Sequence, residues 1–259
     1  MTAAMTKNVS FVAVPGIPRI SPGDLLASIL IDAMRAAGLP MASGDVLVVA
    51  QKIVSKAEGR YIDLADVKPS TRAQQYARLT GKDPRLVEIV LAESTHIVRH
   101  APNVLIVEHR HGFVMANAGV DQSNIEHPGG KERVLLLPEN PDTAAAEIKT
   151  ALDAEFGINC GVIINDSFGR PWRNGVTGVA LGAAGFPSLL DMVGLPDMFG
   201  RKLQMTEIAL ADEVAAGASL VMGQAAEGLP AVLVRGLDLG APNRPASALI
   251  RDRAKDLFR

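Results

Sequence analysis

The chain has 259 residues, of which 48% are hydrophobic and 21% are charged, and this composition favours a folded globular protein with one substantial core or two closely packed lobes. Its 26 basic and 28 acidic residues nearly balance, and without a basic block nucleic acid is disfavoured as a partner. A single cysteine, Cys160, excludes an internal disulfide and a cysteine-based zinc site.

Short apolar runs alternate with helix-like patterns along the chain, which predicts a mixed α and β fold. Strands are predicted at residues 9–14, 45–50, 104–108, 112–116, 134–137, 161–165 and 231–234. Helices are predicted at residues 25–37, 70–80, 84–93, 143–156, 206–222 and 245–258. Ser70 and Asp142 occupy positions typical of N-caps, and Gly38 and Gly157 stand where helices end. Residues 126–132 form the least regular internal stretch, and no repeat or long linker divides the chain.

No apolar run approaches the roughly 18 residues that cross a bilayer. The N-terminus also lacks the basic and then apolar pattern of a secretory signal. We therefore expect no membrane association and a cytoplasmic location. Any bound metal is expected to use oxygen or histidine ligands.

The segment 161–175 combines a strand with polar chemistry. Its apolar run leads into Asp166 and Ser167, which are followed by Gly169 and by two arginines, Arg170 and Arg173. We expect a glycine-bounded loop in which a carboxylate lies beside cations, a pattern that suggests a metal and an anion bound together. The two arginines are hypothesised to grip a substrate carboxylate or phosphate, and structural salt bridges are the alternative.

A second carboxylate, Asp121, follows the predicted strand 113–116 together with Ser123 and Asn124. Aspartate, serine and asparagine commonly cap turns by hydrogen bonding to nearby backbone groups, and such capping is the alternative interpretation of this segment. With Asp166, however, two carboxylates would lie at the ends of neighbouring strands. Because no cysteine or paired histidine accompanies them, the pattern predicts an oxygen-rich site for magnesium or manganese.

Two further segments suggest anion binding. Lys52 and Lys56 follow the strand 45–50, and in an extended segment both ammonium groups would lie on one face and could meet a polyphosphate; a solvated basic edge strand is the alternative. Near the C-terminus, Gly223 and Gly228 are either caps and turn residues or positions where backbone amides approach a ligand, with oxygens supplied by Gln224 and Glu227.

Familiar catalytic motifs are absent from the sequence. It contains no Walker A motif, Gly-x-Gly-x-x-Gly fingerprint, Gly-x-Ser-x-Gly elbow or His-Glu-x-x-His motif. P-loop, Rossmann, serine hydrolase and zincin assignments therefore lose support. His109 and His111 would share a face of an extended segment, and we interpret them as surface residues.

Four separated segments together resemble a known family. They are Val-Ser-Lys-Ala-Glu-Gly-Arg (54–60), Asn-Ala-Gly-Val-Asp-Gln-Ser-Asn (117–124), Asn-Asp-Ser-Phe-Gly-Arg-Pro-Trp-Arg-Asn-Gly (165–175) and Met-Gly-Gln-Ala-Ala-Glu-Gly-Leu-Pro (222–230). Their order and sequence are similar to the signatures of the coenzyme F420:L-glutamate ligases, also called F420-0:gamma-glutamyl ligases. The resemblance runs from Pro15 to about Gly236, and four motifs in order make coincidence improbable.

The resemblance implies a GTP-dependent ligase that joins L-glutamate to the lactyl phosphodiester side chain of the deazaflavin coenzyme F420-0 and then extends a gamma-glutamyl tail. It also implies an α+β fold, with mixed and antiparallel sheets and flanking helices, that is neither P-loop nor Rossmann. An intertwined homodimer, two divalent ions (magnesium or manganese) and potassium belong to the same expectation. The chain is expected to form a single ligase domain over residues 1–259, without a C-terminal reductase domain.

The resemblance also implies roles for individual residues. Asp121 and Asp166 would hold one divalent ion, and Ser167 with Gln224 would help hold a second. Many relatives have threonine at the position of Ser167, and serine keeps the hydroxyl ligand. The GTP contacts are expected at Pro15, Gly16, Ile17, Pro18, Gln51, Lys52, Lys56, Asn124, Gly223, Gln224, Ala225, Ala226, Glu227, Gly228 and Leu229.

The implied chemistry fits these residue types. A carboxylate must first accept the γ-phosphoryl group of a nucleotide to form an acyl phosphate, which the amine of glutamate then attacks. Metals and cations neutralise the charge in both steps, and no side-chain nucleophile is required. Asp121 and Asp166 are therefore the predicted catalytic residues, as primary ligands of the metal. Two other classes fit the same residues: a metal-dependent nucleotide phosphohydrolase and a nucleotide-binding module without catalysis.

Overall fold

The computed structural model describes residues 7–237 and 240–257 and has the mixed α and β architecture that the sequence predicts. The strands are β1 Ser10–Ala13, β2 Val46–Ala50, β3 Tyr61–Asp63, β4 Ser94–Ala101, β5 Val104–His109, β6 Val114–Ala116, β7 Arg133–Leu135, β8 Gly161–Arg170, β9 Arg173–Ala184, β10 Leu190–Asp191, β11 Glu207–Ile208 and β12 Ala231–Arg235. The α-helices are α1 Leu26–Ala36, α2 Gln51–Ala57, α3 Thr71–Thr80, α4 Pro84–Ala92, α5 Pro141–Phe156 and α6 Leu210–Met222.

A five-stranded sheet of order β1-β12-β2-β8-β9 forms the centre of the fold. The pair β2 and β8 is parallel, and the other neighbours are antiparallel. Both faces of this sheet are covered, which explains the continuous apolar runs of its inner strands. Leu47 and Val49 of β2 pack with α1 and α5 on one face, whereas Val46 and Val48 pack with α6 on the other.

A second hydrophobic core lies outside this sheet. The antiparallel sheet β4-β5-β6 packs with α3 and α4 around Val87, Val90, Leu105 and Val107. The short pair β3-β7 joins the same core through Val134. The loops between these elements therefore approach the central sheet from outside it.

The loop predicted after residue 165 is instead a long β-hairpin. Strand β8 continues to Arg170 and pairs with β9, a glycine-containing strand that the sequence patterns did not predict. Two glycines let helices lie close against β9. A Cβ atom on Gly178 would lie 2.3 Å from the carbonyl oxygen of Ala215 in α6, and one on Gly182 would lie 2.2 Å from the carbonyl carbon of Pro141 in α5.

The predicted helix at residues 245–258 is wrong. The described part of this segment contains only the 3-10 turns Ala246–Leu249 and Arg253–Lys255, and position 258 lies outside the described residues. The backbone N–H groups of Ala246 and Ser247 donate to the carboxylate of Asp142 at 2.9 and 3.2 Å. This tertiary contact holds the chain in a different conformation from the one that its local pattern favours.

Three of the four predicted helix boundaries are confirmed. Ser70 caps α3 by accepting a hydrogen bond from the N–H of Ala73, Gly157 ends α5 in a left-handed conformation, and Gly38 follows α1. Asp142 does not cap α5, since Asn140 occupies the cap and Asp142 binds backbone groups of other segments. Helix α6 begins at residue 210 instead of 206, because β11 pairs with β10.

Among residues 7–237 and 240–257, no helix combines the length and the apolar character that crossing a membrane requires.

The contact between β9 and α5 gives a stability prediction. Gly182→Ala should lower the free energy of unfolding by about 3 kcal/mol, because the new methyl group must displace the backbone of Pro141. Gly169→Ala is the matched control, since a Cβ at Gly169 would meet no atom within 4 Å; it should change stability by less than about 0.5 kcal/mol. Urea titration of both variants measures the difference, and equal stabilities would contradict the close packing.

Candidate functional site

One edge of the central sheet collects most of the predicted site segments. Because β2 and β8 are parallel and Ala50 pairs with Asn165, the first turn of α2 begins beside Asp166, which lies within β8. The N–H of Ala50 also donates to the carbonyl of Pro230 at 2.8 Å, and the N–H of Val14 donates to that of Ala231 at 2.9 Å. We call this end of the sheet the site edge; the segments 15–18 and 223–229 therefore begin or end there.

Asp121 reaches this region from outside the sheet. Its backbone bridges to Leu135 through hydrogen bonds of 3.0 and 2.9 Å, and its carboxylate forms an ion pair with the ammonium of Lys52. The expectation that the two carboxylates end neighbouring strands is wrong, because the strand before Asp121, β6, belongs to a different sheet from β8. Packing of the second core against the central sheet brings Asp121 and Asp166 together instead.

The segment after Asp121 shows the turn capping that the sequence offered as one interpretation. The N–H of Ser123 donates to Asp121 Oδ1 at 2.8 Å, and the Ser123 hydroxyl donates to Oδ2 at 2.7 Å. The aspartate thus organises its own turn while it also pairs with Lys52. Lys52 Nζ donates in addition to the Ser123 carbonyl at 3.2 Å, so the turn and α2 are held together.

The electrostatics of Asp166 reflect its crowded surroundings. Burial raises the pKa of its carboxyl to about 6, and the negative charge of Asp121 acts in the same direction. The backbone N–H of Ser167, the positive charge of Lys52 and a side-chain hydrogen bond with Gln51 oppose the shift. A carboxyl whose ionised form is disfavoured by burial is stabilised as an anion when a cation is bound beside it.

Lys56 shares a face with Lys52, but the backbone that places it there is not the predicted one. Residues 51–57 form helix α2 and not an extended edge strand, and residues four apart are neighbours on a helix surface. Lys56 Nζ donates to the carbonyl of Asn124 at 2.7 Å. Burial, and then the like charge of Lys52, lower the pKa of Lys56, so a further anion at this place would be favoured.

The loop 223–229 closes the site from a third direction. Ser167 Oγ donates to Gln224 Oε1 at 2.8 Å, and Asn124 Nδ2 donates to the carbonyl of Ala225 at 3.1 Å. The loop is folded on itself, since the N–H of Ala225 donates to the carboxylate of Glu227 at 2.8 Å. Gly223 has φ +74°, and a Cβ there would lie 2.2 Å from the carboxyl carbon of Glu227. Only glycine fits this turn without displacement.

The donor set fits a divalent cation of the magnesium type. Asp121, Asp166, the Ser167 hydroxyl and the Gln224 amide oxygen are all hard oxygen ligands. Within the described ranges, no three or more His, Cys, Asp or Glu side chains cluster as metal ligands. A metal here would therefore complete its coordination with water and phosphate oxygens, as magnesium commonly does.

Sequence reasoning missed one polar residue at the site edge. Asn165, the residue before Asp166, is buried, and its Oδ1 atom has no hydrogen-bond partner. An unpaired buried acceptor of this kind is uncommon in a folded protein. A polar residue directly after the apolar run 162–164 is the signal that could have identified it.

Among the described residues, no side-chain hydrogen bond or ion pair links the two hairpin arginines to Asp121 or Asp166. Arg170 and Arg173 are paired across the end of the β8-β9 hairpin, and neither forms an ion pair with the described residues. Phe168 of the same hairpin packs against the small core of Phe113, Met115, Leu137 and Leu181.

A polar network fixes the chain just after α2. Arg60 donates hydrogen bonds to the Glu93 carboxylate and to the carbonyl of Leu137, each at 3.0 Å. It therefore has a structural role here and does not join Lys52 and Lys56. His109 is completely buried, which corrects its interpretation as a surface residue; its Nε2 lies 3.6 Å from Glu93 Oε2. Arg110 Nε lies 3.4 Å from the same oxygen.

The fold and the site together define a class: an α+β protein with an oxygen-rich, lysine-lined site at one sheet edge and without a P-loop or Rossmann arrangement in residues 7–237 and 240–257. Comparison with known proteins specifies the family. The chain belongs to the F420-0:gamma-glutamyl ligase family, whose model matches residues 16–236. This membership confirms the resemblance that the four sequence segments indicated.

Individual relatives cover nearly the whole chain. The chain is 46% identical to the coenzyme F420:L-glutamate ligase of Methanopyrus kandleri, over 95% of this chain and 96% of that protein. It is 44% identical to the enzyme of the same name from Methanothermobacter thermautotrophicus, over 97% of this chain and 99% of that protein. The enzyme of this name from Archaeoglobus fulgidus is 39% identical, over 95% of this chain and 94% of that protein.

The network behind α2 gives a prediction for acid stability. Burial acts to raise the pKa of Glu93, but His109, Arg110 and Arg60 outweigh it and lower that pKa below its ordinary value. A carboxyl with a depressed pKa in the folded state stabilises the protein above its ordinary pKa and loses that contribution as the pH falls through the lower value.

Glu93→Gln should therefore reduce the free energy of unfolding by about 2 kcal/mol near neutral pH, because it removes a partly buried, charge-paired acceptor. The difference from the unsubstituted protein should shrink below about pH 4, where the wild-type carboxyl becomes protonated. Denaturant titrations over this range measure it, with the exposed Glu147→Gln on α5 as the control. A pH-independent difference would refute the ionic role.

Proposed function

We propose that this chain is a GTP-dependent ligase that forms an amide bond between L-glutamate and coenzyme F420-0 and then extends the gamma-glutamyl tail, a reaction of coenzyme F420 biosynthesis. Membership of the F420-0:gamma-glutamyl ligase family and the names of the relatives support the reaction class. One observation carries the nucleotide dependence: Asp121 and Asp166, 45 positions apart in the sequence, converge with Lys52 and Lys56 at one sheet edge.

The proposed reaction has two steps. A carboxylate oxygen of the acceptor attacks the γ-phosphorus of GTP, so that the bond between this phosphorus and the β-γ bridging oxygen breaks, and GDP and an acyl phosphate form. The amine of L-glutamate then attacks the acyl carbon. The new carbon–nitrogen bond forms as the bond from carbon to phosphate oxygen breaks, and inorganic phosphate and one proton leave. Both steps bring anions together, and a site that neutralises charge accelerates them.

The residues at the site edge would have different roles in this reaction. Asp121 and Asp166 would hold one divalent ion, and Ser167 with Gln224 would contribute to a second. Such ions, when bound, supply the positive charge that aligns and stabilises the transferring phosphoryl group. Lys52 forms an ion pair with Asp121 in the structure, and it would bind a phosphate once that aspartate binds a cation. The family's potassium ion is included in the proposal.

The proposed GTP-binding surface lies along the site edge. The turn 15–18 follows β1, Gln51 and Lys56 lie on α2, and the loop 223–229 precedes β12. The hydrogen bond from Asn124 to the loop carbonyl of Ala225 links two of these segments. Glycine-containing backbone beside two lysines suits the recognition of a polyphosphate.

The central experiment is mass spectrometry of F420-0 after incubation with the purified protein, GTP, manganese and L-glutamate. The proposal expects mass increases of one glutamyl unit at a time, with GDP and phosphate released only when both substrates are present. GTP consumption that does not depend on glutamate and F420-0 would identify a phosphohydrolase instead. GTP binding without any product would identify a non-catalytic module.

Asp166→Asn tests the metal site within this assay. The amide keeps the shape of the side chain but removes the negative charge that would hold a cation, so glutamate addition should fall by at least about a hundredfold. Asp32→Asn, on the exposed face of α1, is the control and should retain wild-type activity. Circular dichroism checks that both variants fold. Activity near wild type in Asp166→Asn would remove this residue from the proposed mechanism.

The proposal also includes a homodimer, and a projecting segment supports it. Between β10 and β11 the chain forms an arm, residues 192–206, in which Met198 and Phe199 are 96% and 94% exposed. Met205, in the same arm, is 89% exposed. Large apolar side chains that project together in this way are typical of protein interfaces.

Replacing both Met198 and Phe199 by serine should therefore shift the protein from dimer to monomer, because the substitutions remove the most exposed apolar surface of the arm. Sedimentation velocity measures the change in mass. Leu25→Ser is the matched control, since Leu25 is 76% exposed but lies at the start of α1, away from the arm in sequence. A double variant that sediments as the wild type would exclude the arm from the interface.

A further inference from the structure

The β8-β9 hairpin extends beyond the site edge and ends in an exposed turn. The pairing runs from Ser167 with Gly178 to Arg170 with Arg173, and only Pro171 and Trp172 lie between the last pair. Residues 173–176 are exposed. The hairpin therefore begins beside Asp166 and carries its tip away from the central core.

The tip presents an indole ring in an unusual backbone position. Trp172 is the only tryptophan of the chain and is 82% exposed. Its φ is +58°, which lies in the left-handed region that residues other than glycine and asparagine rarely adopt. After a proline, a turn normally places glycine or asparagine at such a position. A large aromatic residue held there at the surface points to a binding role.

The same hairpin carries two arginines, Arg170 and Arg173, next to its tip. Neither Arg170 nor Arg173 forms an ion pair with the described residues, and Arg170 Nη1 is buried without a hydrogen-bond acceptor. Buried guanidinium nitrogens are normally paired. An anionic group of a ligand that lies along the hairpin would supply the acceptor.

We infer that this hairpin is the platform for the acceptor coenzyme, with the indole of Trp172 stacked on the deazaflavin ring and Arg170 and Arg173 beside the phosphodiester. This inference rests on the proposed function. The groups of the acceptor occur in the same order as those of the hairpin: a reacting carboxylate beside Asp166, an anion in the middle and a planar ring at the far end. The six residue steps from Asp166 to Trp172 span at most about 20 Å, a length on the scale of such a cofactor.

Because the chain has one tryptophan, its fluorescence reports directly on the tip. Titration with F420-0, without GTP, metal or glutamate, should quench the emission in a saturable way. A lactyl phosphodiester without the deazaflavin ring should leave the emission unchanged. N-acetyltryptophanamide titrated in parallel corrects for light absorbed by the deazaflavin. Quenching no greater than that of this free compound would overturn the inference.

Kinetics of two variants supply a second test. Trp172→Ala should raise the KM for F420-0 about tenfold, the loss of one aromatic stacking contact, while the KM values for GTP and L-glutamate and the kcat stay within about twofold. Trp172→Phe, which keeps a ring, should recover most of the lost affinity. An unchanged KM for F420-0 in Trp172→Ala would overturn the assignment, as would an equal rise in all three KM values.

The two proposals fail in different ways. If the wild-type protein adds no glutamate to F420-0 but F420-0 quenches the fluorescence of Trp172, the proposed function is refuted and the inferred binding platform is retained. If glutamate is added but Trp172→Ala keeps its KM for F420-0, the platform fails alone. If Trp172→Ala sediments at a lower mass than the wild type, the indole belongs to an interface between copies of the chain, and the inference is overturned.

Discussion

The parallel pairing of β2 with β8 is the constraint on which the site depends. It sets Ala50 opposite Asn165, so that α2 begins beside Asp166. The antiparallel strand β12 then brings the loop before it to the same edge. Residues from three distant parts of the chain are thereby held by a buried ladder of backbone hydrogen bonds, and their side chains meet without a shared sequence motif.

Asp166 and Lys56 lie at this edge in surroundings that disfavour their charged forms. Burial and Asp121 raise the pKa of Asp166, and burial and Lys52 lower the pKa of Lys56. Each shift disfavours the charged form of the side chain, and each would be relieved by a ligand of the opposite sign. A metal ion with a polyphosphate supplies both signs at once, which is the electrostatic argument for a nucleotide-dependent ligase.

Sequence and structure agree where local chemistry decides the outcome, and they differ where tertiary packing does. The caps at Ser70 and Gly157 follow from side-chain hydrogen bonding and left-handed glycine. The predicted C-terminal helix fails because Asp142, from α5, takes the N–H groups of Ala246 and Ser247. His109 could not be recognised as buried, because its partner Glu93 comes from the end of another element, α4.

By itself the sequence determined the fold class, the family resemblance and the identity of most polar residues that meet at the site edge, Asn165 excepted, because residue type, periodicity and motif order can be read without the fold. Only the tertiary structure decided that Asp121 pairs with Lys52 and that the segment after Asp166 is a hairpin ending in Trp172. Strand pairing and core packing join residues that are far apart in the chain. Such contacts depend on the whole molecule, so no single segment encodes them.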